Sequence, residues 1–155
     1  MFSMLTRLLV TRSLRAHARH DVEAVLSTYA KDVVFRFPGN NSWAGEFRGI
    51  DAVRPWLQRF YGIGLELSVN EILVRGWPWK TRVAIHFTDR LKAPDGALVY
   101  ENTGFIYAKA TWGKIREYEV IEDTEKVALL DVWLEKNRPT TRLLGLPESA
   151  IAMFR

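Results

Sequence analysis

Few side chains in this sequence are placed to move a proton. Most of them fall in the stretch Gly113-Lys114-Ile115-Arg116-Glu117-Tyr118-Glu119-Val120-Ile121-Glu122-Asp123. Read as a strand, its alternation puts Tyr118, Val120 and Glu122 on one face and Glu117, Glu119 and Ile121 on the other. Glu122 is the candidate general acid or base, because desolvation beside an apolar cavity raises a carboxyl pKa towards neutrality. Tyr118 is either a hydrogen-bond donor to a ligand carbonyl or a core tyrosine. Asp123 is a third candidate acid, and its place just before Thr124 also suits a helix N-cap. His86 lies mid-strand on the face opposite Val83, Ile85 and Phe87, a position that fits a dimer interface. His17 and His20 are three apart with no third ligand at suitable spacing, so no metal is expected. The chain has no cysteine. It also lacks a phosphate loop, a Gly-rich dinucleotide fingerprint and a Ser nucleophile elbow, so no cofactor is expected either.

The composition bounds what surrounds these residues. With 155 residues, 48% hydrophobic and 26% charged, the chain has the size and core-forming capacity of one globular domain. Its net charge of +4 comes mainly from arginines scattered among carboxylates, which argues against a nucleic-acid partner. No apolar stretch reaches the roughly 20 residues that span a bilayer, so no membrane partner is expected. The absence of cysteine permits a reducing compartment, and the cytoplasm is the expected location. Arg7, Arg12, Arg15 and Arg19 precede the first acid, Asp21, as in a transit peptide. Leu5, Leu8, Leu9, Val10, Leu14 and His17 nevertheless recur at helical spacing, and the segment reads as an amphipathic first helix of the domain.

The elements that must position the site follow from period and punctuation. Asp21 caps a second helix running through Tyr29, and Val33 to Phe37 reads as a short strand ended by Pro38-Gly39. Trp43 and Gly45 lie in a loop, and a third helix carries Val53, Trp56, Leu57, Phe60 and Tyr61 on one face. From Leu65 the period becomes two. Strands are expected at about 65–75, 79–91, 97–110 and 114–122, separated by Gly76-Trp77-Pro78, Ala93-Pro94-Asp95-Gly96 and Trp112-Gly113. Thr124 caps a closing helix that carries Val127, Leu130, Trp133 and Leu134 at helical spacing. Residues 1–136 form one domain, and 137–155 form a tail that packs on the domain or on a partner. Helices followed by a long meander give an α+β fold, a curved antiparallel sheet wrapped around N-terminal helices. Strands this long must coil, which leaves a concavity on one face and an outer face that needs cover, so a homodimer is expected. On the third long strand, parity lets only one of Glu101 and Asn102 point inward.

Three motifs and their order resemble the nuclear transport factor 2-like superfamily, and within it the SnoaL-like and ketosteroid-isomerase-like proteins. They are Asp32-Val33-Val34-Phe35-Arg36-Phe37-Pro38-Gly39, Ala44-Gly45-Glu46-Phe47-Arg48-Gly49, and Gly113-Lys114-Ile115 running to Asp123-Thr124. The resemblance implies a cystatin-like, cone-shaped α+β barrel, usually dimeric, with a pocket between sheet and helices. It also implies that Tyr118, Val120 and Glu122 face that pocket, and the expected lining is Phe35, Phe37, Trp56, Trp79, Phe105 and Val120. The acids of the best-known relatives are missing: Phe37 and Phe105 stand where ketosteroid isomerases carry theirs, Ser13 where they carry a tyrosine, and Val120 where SnoaL-like cyclases carry an aspartate. No Asp-Arg-Asp set of the epoxide hydrolase kind is evident. The function implied is a small-molecule pocket protein for a hydrophobic or aromatic ligand, with acid/base catalysis of isomerase, cyclase or hydrolase type centred on Glu122 and Tyr118. The alternative is a noncatalytic binder or dimerisation module of the same fold.

Overall fold

The computed structural model describes residues 2–137, with side chains from Val10 onward. Apart from Asn137, the tail assigned to 137–155 lies outside the described residues. The order of elements is α1 (Phe2–Ala18), α2 (Val22–Leu26), β1 (Tyr29–Phe37), β2 (Gly45–Arg48), α3 (Ile50–Gly62), β3 (Glu66–Trp77), β4 (Lys80–Lys92), β5 (Leu98–Thr111), β6 (Lys114–Glu122) and α4 (Thr124–Asn137). One six-stranded sheet runs in the order β2-β1-β6-β5-β4-β3. The fold is α+β, with the sheet curved around its helices.

The meander β3 to β6 is antiparallel throughout, but β1 joins β6 in parallel. Period and turn chemistry read the meander because each hairpin is local. The β1–β6 pairing joins distant segments and leaves no local trace. It also explains why α2 stops at Leu26 and does not run through Tyr29: Tyr29 is paired with Ile115 as part of β1. Likewise, β2 replaces part of the expected loop, because Gly45 to Arg48 pair with Val34 to Phe37. Register breaks at Val69/Glu71, Leu91/Lys92 and Lys109/Ala110 bend the long strands, as one extra residue does in a β-bulge.

Parity now sorts the faces. Val83, Ile85, Phe87 and Leu91 on β4, and Ile106 and Ala108 on β5, belong to the buried core with Val25, Phe35, Leu57 and Val127 from the opposing elements. The other face carries Leu73, Phe105, Tyr107 and Ile121, all exposed. Phe105 is 51% exposed and stacks on His86 with ring centroids 4.8 Å apart. This corrects its placement in the pocket: β5 turns Gly104 and Ile106 inward, and Phe105 takes the outer register. Trp79 is corrected for a different reason. It sits in the β3–β4 turn, 52% exposed and stacked on Trp77 at 5.5 Å.

Candidate functional site

Two cavities inside the cone share part of their walls. The wider, about 250 Å³, lies between α1 and the inner faces of β4 to β6, and its lining includes Ser13, Val83, Ile85, Ala108 and Ile115. Pro78, Trp112 and Gly113, at the tips of two hairpins, close its outer end. The tips are tied by the Trp112 amide donating to the Pro78 carbonyl at 2.6 Å. Trp112 holds a left-handed φ of 51°, which a two-residue hairpin of this twist demands of both central residues. Ser13 reaches Thr28 with its hydroxyl at 3.4 Å.

His17, Leu67, Ile106 and Tyr118 line this cavity and also a narrower one of about 30 Å³, room for one or two water molecules. Phe35, Phe37, Trp56 and Val120 wall the narrow chamber, and Asp89 and Glu122 supply its carboxyl groups. Phe35 meets Trp56 edge-on at 4.7 Å and Tyr118 at 5.3 Å. Trp56 is pinned because its indole N–H donates to the Trp43 carbonyl at 3.1 Å. The expected lining is thus assembled except for Trp79 and Phe105.

Sequence reading passed over Asp89, although a signal was there: it continues the inward row Val83, Ile85, Phe87, Asp89, Leu91 of β4, a carboxyl in an apolar register. Asp89 is only 4% exposed. Its neighbours across β5 explain the arrangement. Asp89 pairs with Asn102 and Glu122 with Gly104, so the two acids flank β5 on its inner face. At Gly104 an added Cβ would lie 2.5 Å from the Ile121 carbonyl oxygen, 2.7 Å from Glu122 Cβ and 3.0 Å from the Phe87 ring. Glycine is therefore what lets Glu122 and Phe87 close over the strand.

Asn102, 1% exposed, resolves the choice between Glu101 and Asn102. Its Oδ1 accepts from the Thr103 amide at 2.9 Å, and its Nδ2 donates to the Asp123 carbonyl at 2.9 Å and the Tyr100 oxygen at 3.1 Å. Those partners fix which end of the amide is which. With its oxygen already accepting, Tyr100 can turn its proton to the Asp89 carboxylate, to which it is hydrogen bonded. Asp89 Oδ1 and Glu122 Oε2 remain buried with no hydrogen-bond partner among the described residues.

Burial dominates the electrostatics. It pushes Asp89 up to about 7, against the opposing pull of the Tyr100 hydroxyl and Lys126. Glu122 is pushed up to about 8 by burial, then by the charges of Asp89 and Asp123. His17, buried and near His20, is lowered to about 4 and so is a neutral imidazole at pH 7. It shares a hydrogen bond with the Tyr61 hydroxyl through Nδ1. Burial also raises Tyr118 far above its ordinary value, so it is a phenol and can only donate or accept as one. Asp123 is corrected as a site residue: its carboxylate points away from the chamber and accepts from the Glu125 and Lys126 amides at 3.0 and 3.3 Å. It, not Thr124, caps α4. Among the described residues no group of three or more His, Asp or Glu side chains could hold a metal.

The SnoaL-like domain family matches residues 10–118. The chain belongs to this family. Solved structures agree on the fold. An NTF2-like protein from Burkholderia pseudomallei is 21% identical, with 81% of this chain and 96% of that one covered and a TM-score of 0.69. A protein from Xanthomonas campestris with a cystatin-like fold is 20% identical over 81% of this chain and 97% of its own, with a TM-score of 0.65. TerC, co-crystallised with polyporic acid, is 21% identical over 79% of this chain and 97% of its own, with a TM-score of 0.65. No curated protein matches the chain. Within this SnoaL-like frame no helix of the described residues is long and apolar enough to cross a membrane.

Proposed function

We propose that this SnoaL-like protein takes a hydrophobic or aromatic small molecule into the wide chamber and presents it to an acid/base group, Glu122, with Tyr118 at the junction of the chambers. The observation that carries this reading is adjacency: an apolar space of about 250 Å³ shares His17, Leu67, Ile106 and Tyr118 as walls with a chamber that holds a buried carboxyl. A buried acid held near neutrality suits proton transfer of isomerase, cyclase or hydrolase type. The structurally similar TerC, co-crystallised with the aromatic polyporic acid, supports an aromatic ligand class. The first test needs no substrate. N-phenyl-1-naphthylamine, an uncharged fluorescent aromatic, is expected to bind one to one, and Ala108→Phe, which fills the wide chamber, is expected to weaken it at least about tenfold. No saturable binding, or binding unchanged in Ala108→Phe, contradicts the reading and favours a dimerisation module.

The protein acts as a homodimer in this proposal, its outer sheet face covered by a second copy. Support comes from the exposed row of Leu73, Phe105, Tyr107 and Ile121 around His86, since apolar surface of this kind seeks a partner. Sedimentation is expected to give a dimer and Phe105→Glu a monomer. A monomeric parent protein rejects the arrangement.

A further inference from the structure

We infer that Asp89 and Glu122 act as one pair in the narrow chamber, selecting uncharged substrates that carry a single hydroxyl or carbonyl head on an aromatic or alicyclic body. The inference deepens the proposed function and rests on its reading of the wide chamber as the ligand site.

Three observations converge. Both carboxyls line the same space of about 30 Å³, and both also line a smaller void beyond it. Each keeps one oxygen, Asp89 Oδ1 and Glu122 Oε2, buried and unpartnered. A buried polar atom without a partner costs about 1–3 kcal/mol, and here two such atoms belong to side chains that line one chamber. Gly104, paired with Glu122, carries no side chain that would crowd Glu122 and Phe87 on the inner face of β5.

The surroundings set the roles. The titratable groups facing the pair are Tyr100 on β5, Tyr118 on β6 and His17 on α1, and the charges of Asp123 and Lys126 at the start of α4 are felt from outside the chamber. His17 is neutral and the tyrosines are phenols. Lys126 Nζ is engaged with the Glu101 carbonyl at 3.3 Å and is exposed. Tyr100, oriented by Asn102, stabilises the ionised form of Asp89 alone. Like charges in one dry space resist joint ionisation, so Glu122 keeps its proton and Asp89 gives its up first. A head group between them receives a hydrogen bond from Glu122 and gives one to Asp89 Oδ1. A hydroxyl satisfies both oxygens, a carbonyl satisfies Glu122, and a carboxylate meets an anion with no cation among the described residues lining the chamber to offset it.

Calorimetry at pH 7 with 2-naphthol, 2-naphthoate and naphthalene tests the pair. The expected result is 2-naphthol at least about tenfold tighter than either of the others, with the naphthol-to-naphthoate ratio collapsing below about threefold in the Asp89→Asn, Glu122→Gln double variant. Naphthoate bound as tightly as naphthol by the parent, or a ratio that survives in the double variant, overturns the inference while leaving the chamber reading intact. Binding of none of the three overturns both. Should the double variant not fold, infrared spectroscopy of the parent decides: a protonated-carboxyl band at pH 7 is expected, and its absence overturns the inference.

Discussion

Replacing Asp131 with alanine is expected to lower stability by about 3 kcal/mol and the melting temperature by roughly 10 °C, more than other single changes outside the hydrophobic core. Asp131, on α4, accepts from the Ser42 amide and the Ser42 hydroxyl at 2.6 Å each and from the Trp43 indole at 3.1 Å. Arg59, on α3, donates to the Ser42 carbonyl at 3.0 Å and its hydroxyl at 2.6 Å, lies 3.7 Å from Asp131, and stacks 3.7 Å above the Trp43 ring. Its side chain is 7% exposed. Removing Asp131 takes a carboxylate from beside a buried guanidinium and detaches the loop that holds Trp43, and through it Trp56, in the cavity wall. Burial also means that salt should change the loss little. Chemical denaturation of the parent and the variant at low and high salt measures both, and a loss below about 1 kcal/mol would show that the network does not hold α3 to α4.

Stability is also expected to fall by about 2 kcal/mol between pH 6.5 and 8.5 because of the acid pair. Asp89 and Glu122 titrate in the folded chain at about 7 and about 8 rather than near 3.8 and 4.5. The folded state therefore binds more protons than the unfolded one between those limits. The stability this contributes is complete below about pH 4 and is lost as pH rises through 7 and 8. His17 works the opposite way, since its lowered pKa makes the folded state bind fewer protons between about 4 and 6.5. Glu46 and Glu117, both lowered by arginine or lysine partners, act only below the ordinary carboxylate range. The raised tyrosines act only above pH 10. The window from 6.5 to 8.5 therefore belongs to the pair. Glu122→Gln, which cannot ionise, should flatten the profile and be more stable than the parent at pH 8.5 by on the order of 1–2 kcal/mol. Thermal melts across this window decide the matter, and a parent profile that is level or rising there would mean that the pair is hydrated and ionised in the folded chain.

Much of this site was legible before any coordinates. Alternation placed Tyr118, Val120 and Glu122 on one face of β6, and turn chemistry marked Trp112-Gly113 and Asp95-Gly96, because both signals depend only on neighbouring residues. Asp89 escaped notice although it shares the register of Val83, Ile85 and Phe87. A carboxyl at a strand position is ordinary until the face it occupies is known to be inside, and a strand's alternation names two faces without saying which is buried. Phe105 shows the same limit from the other side. The resemblance to ketosteroid isomerases placed it in the pocket, while the register with His86 and Ile121 turned it outward.

By itself, then, the sequence determined the order of the elements apart from β2, the curved antiparallel meander, the absence of thiol chemistry, and the parity that groups Glu122 with Tyr118. Those are consequences of local period, backbone-restricting turns and composition. Tertiary structure decided that β1 runs parallel to β6, that Asp89 and Glu122 line one chamber from either side of β5, and that Asp123 serves as a cap outside it. Each of these depends on which distant strands hydrogen bond and in what register, and a register shift of one residue exchanges the inside of a sheet for its outside.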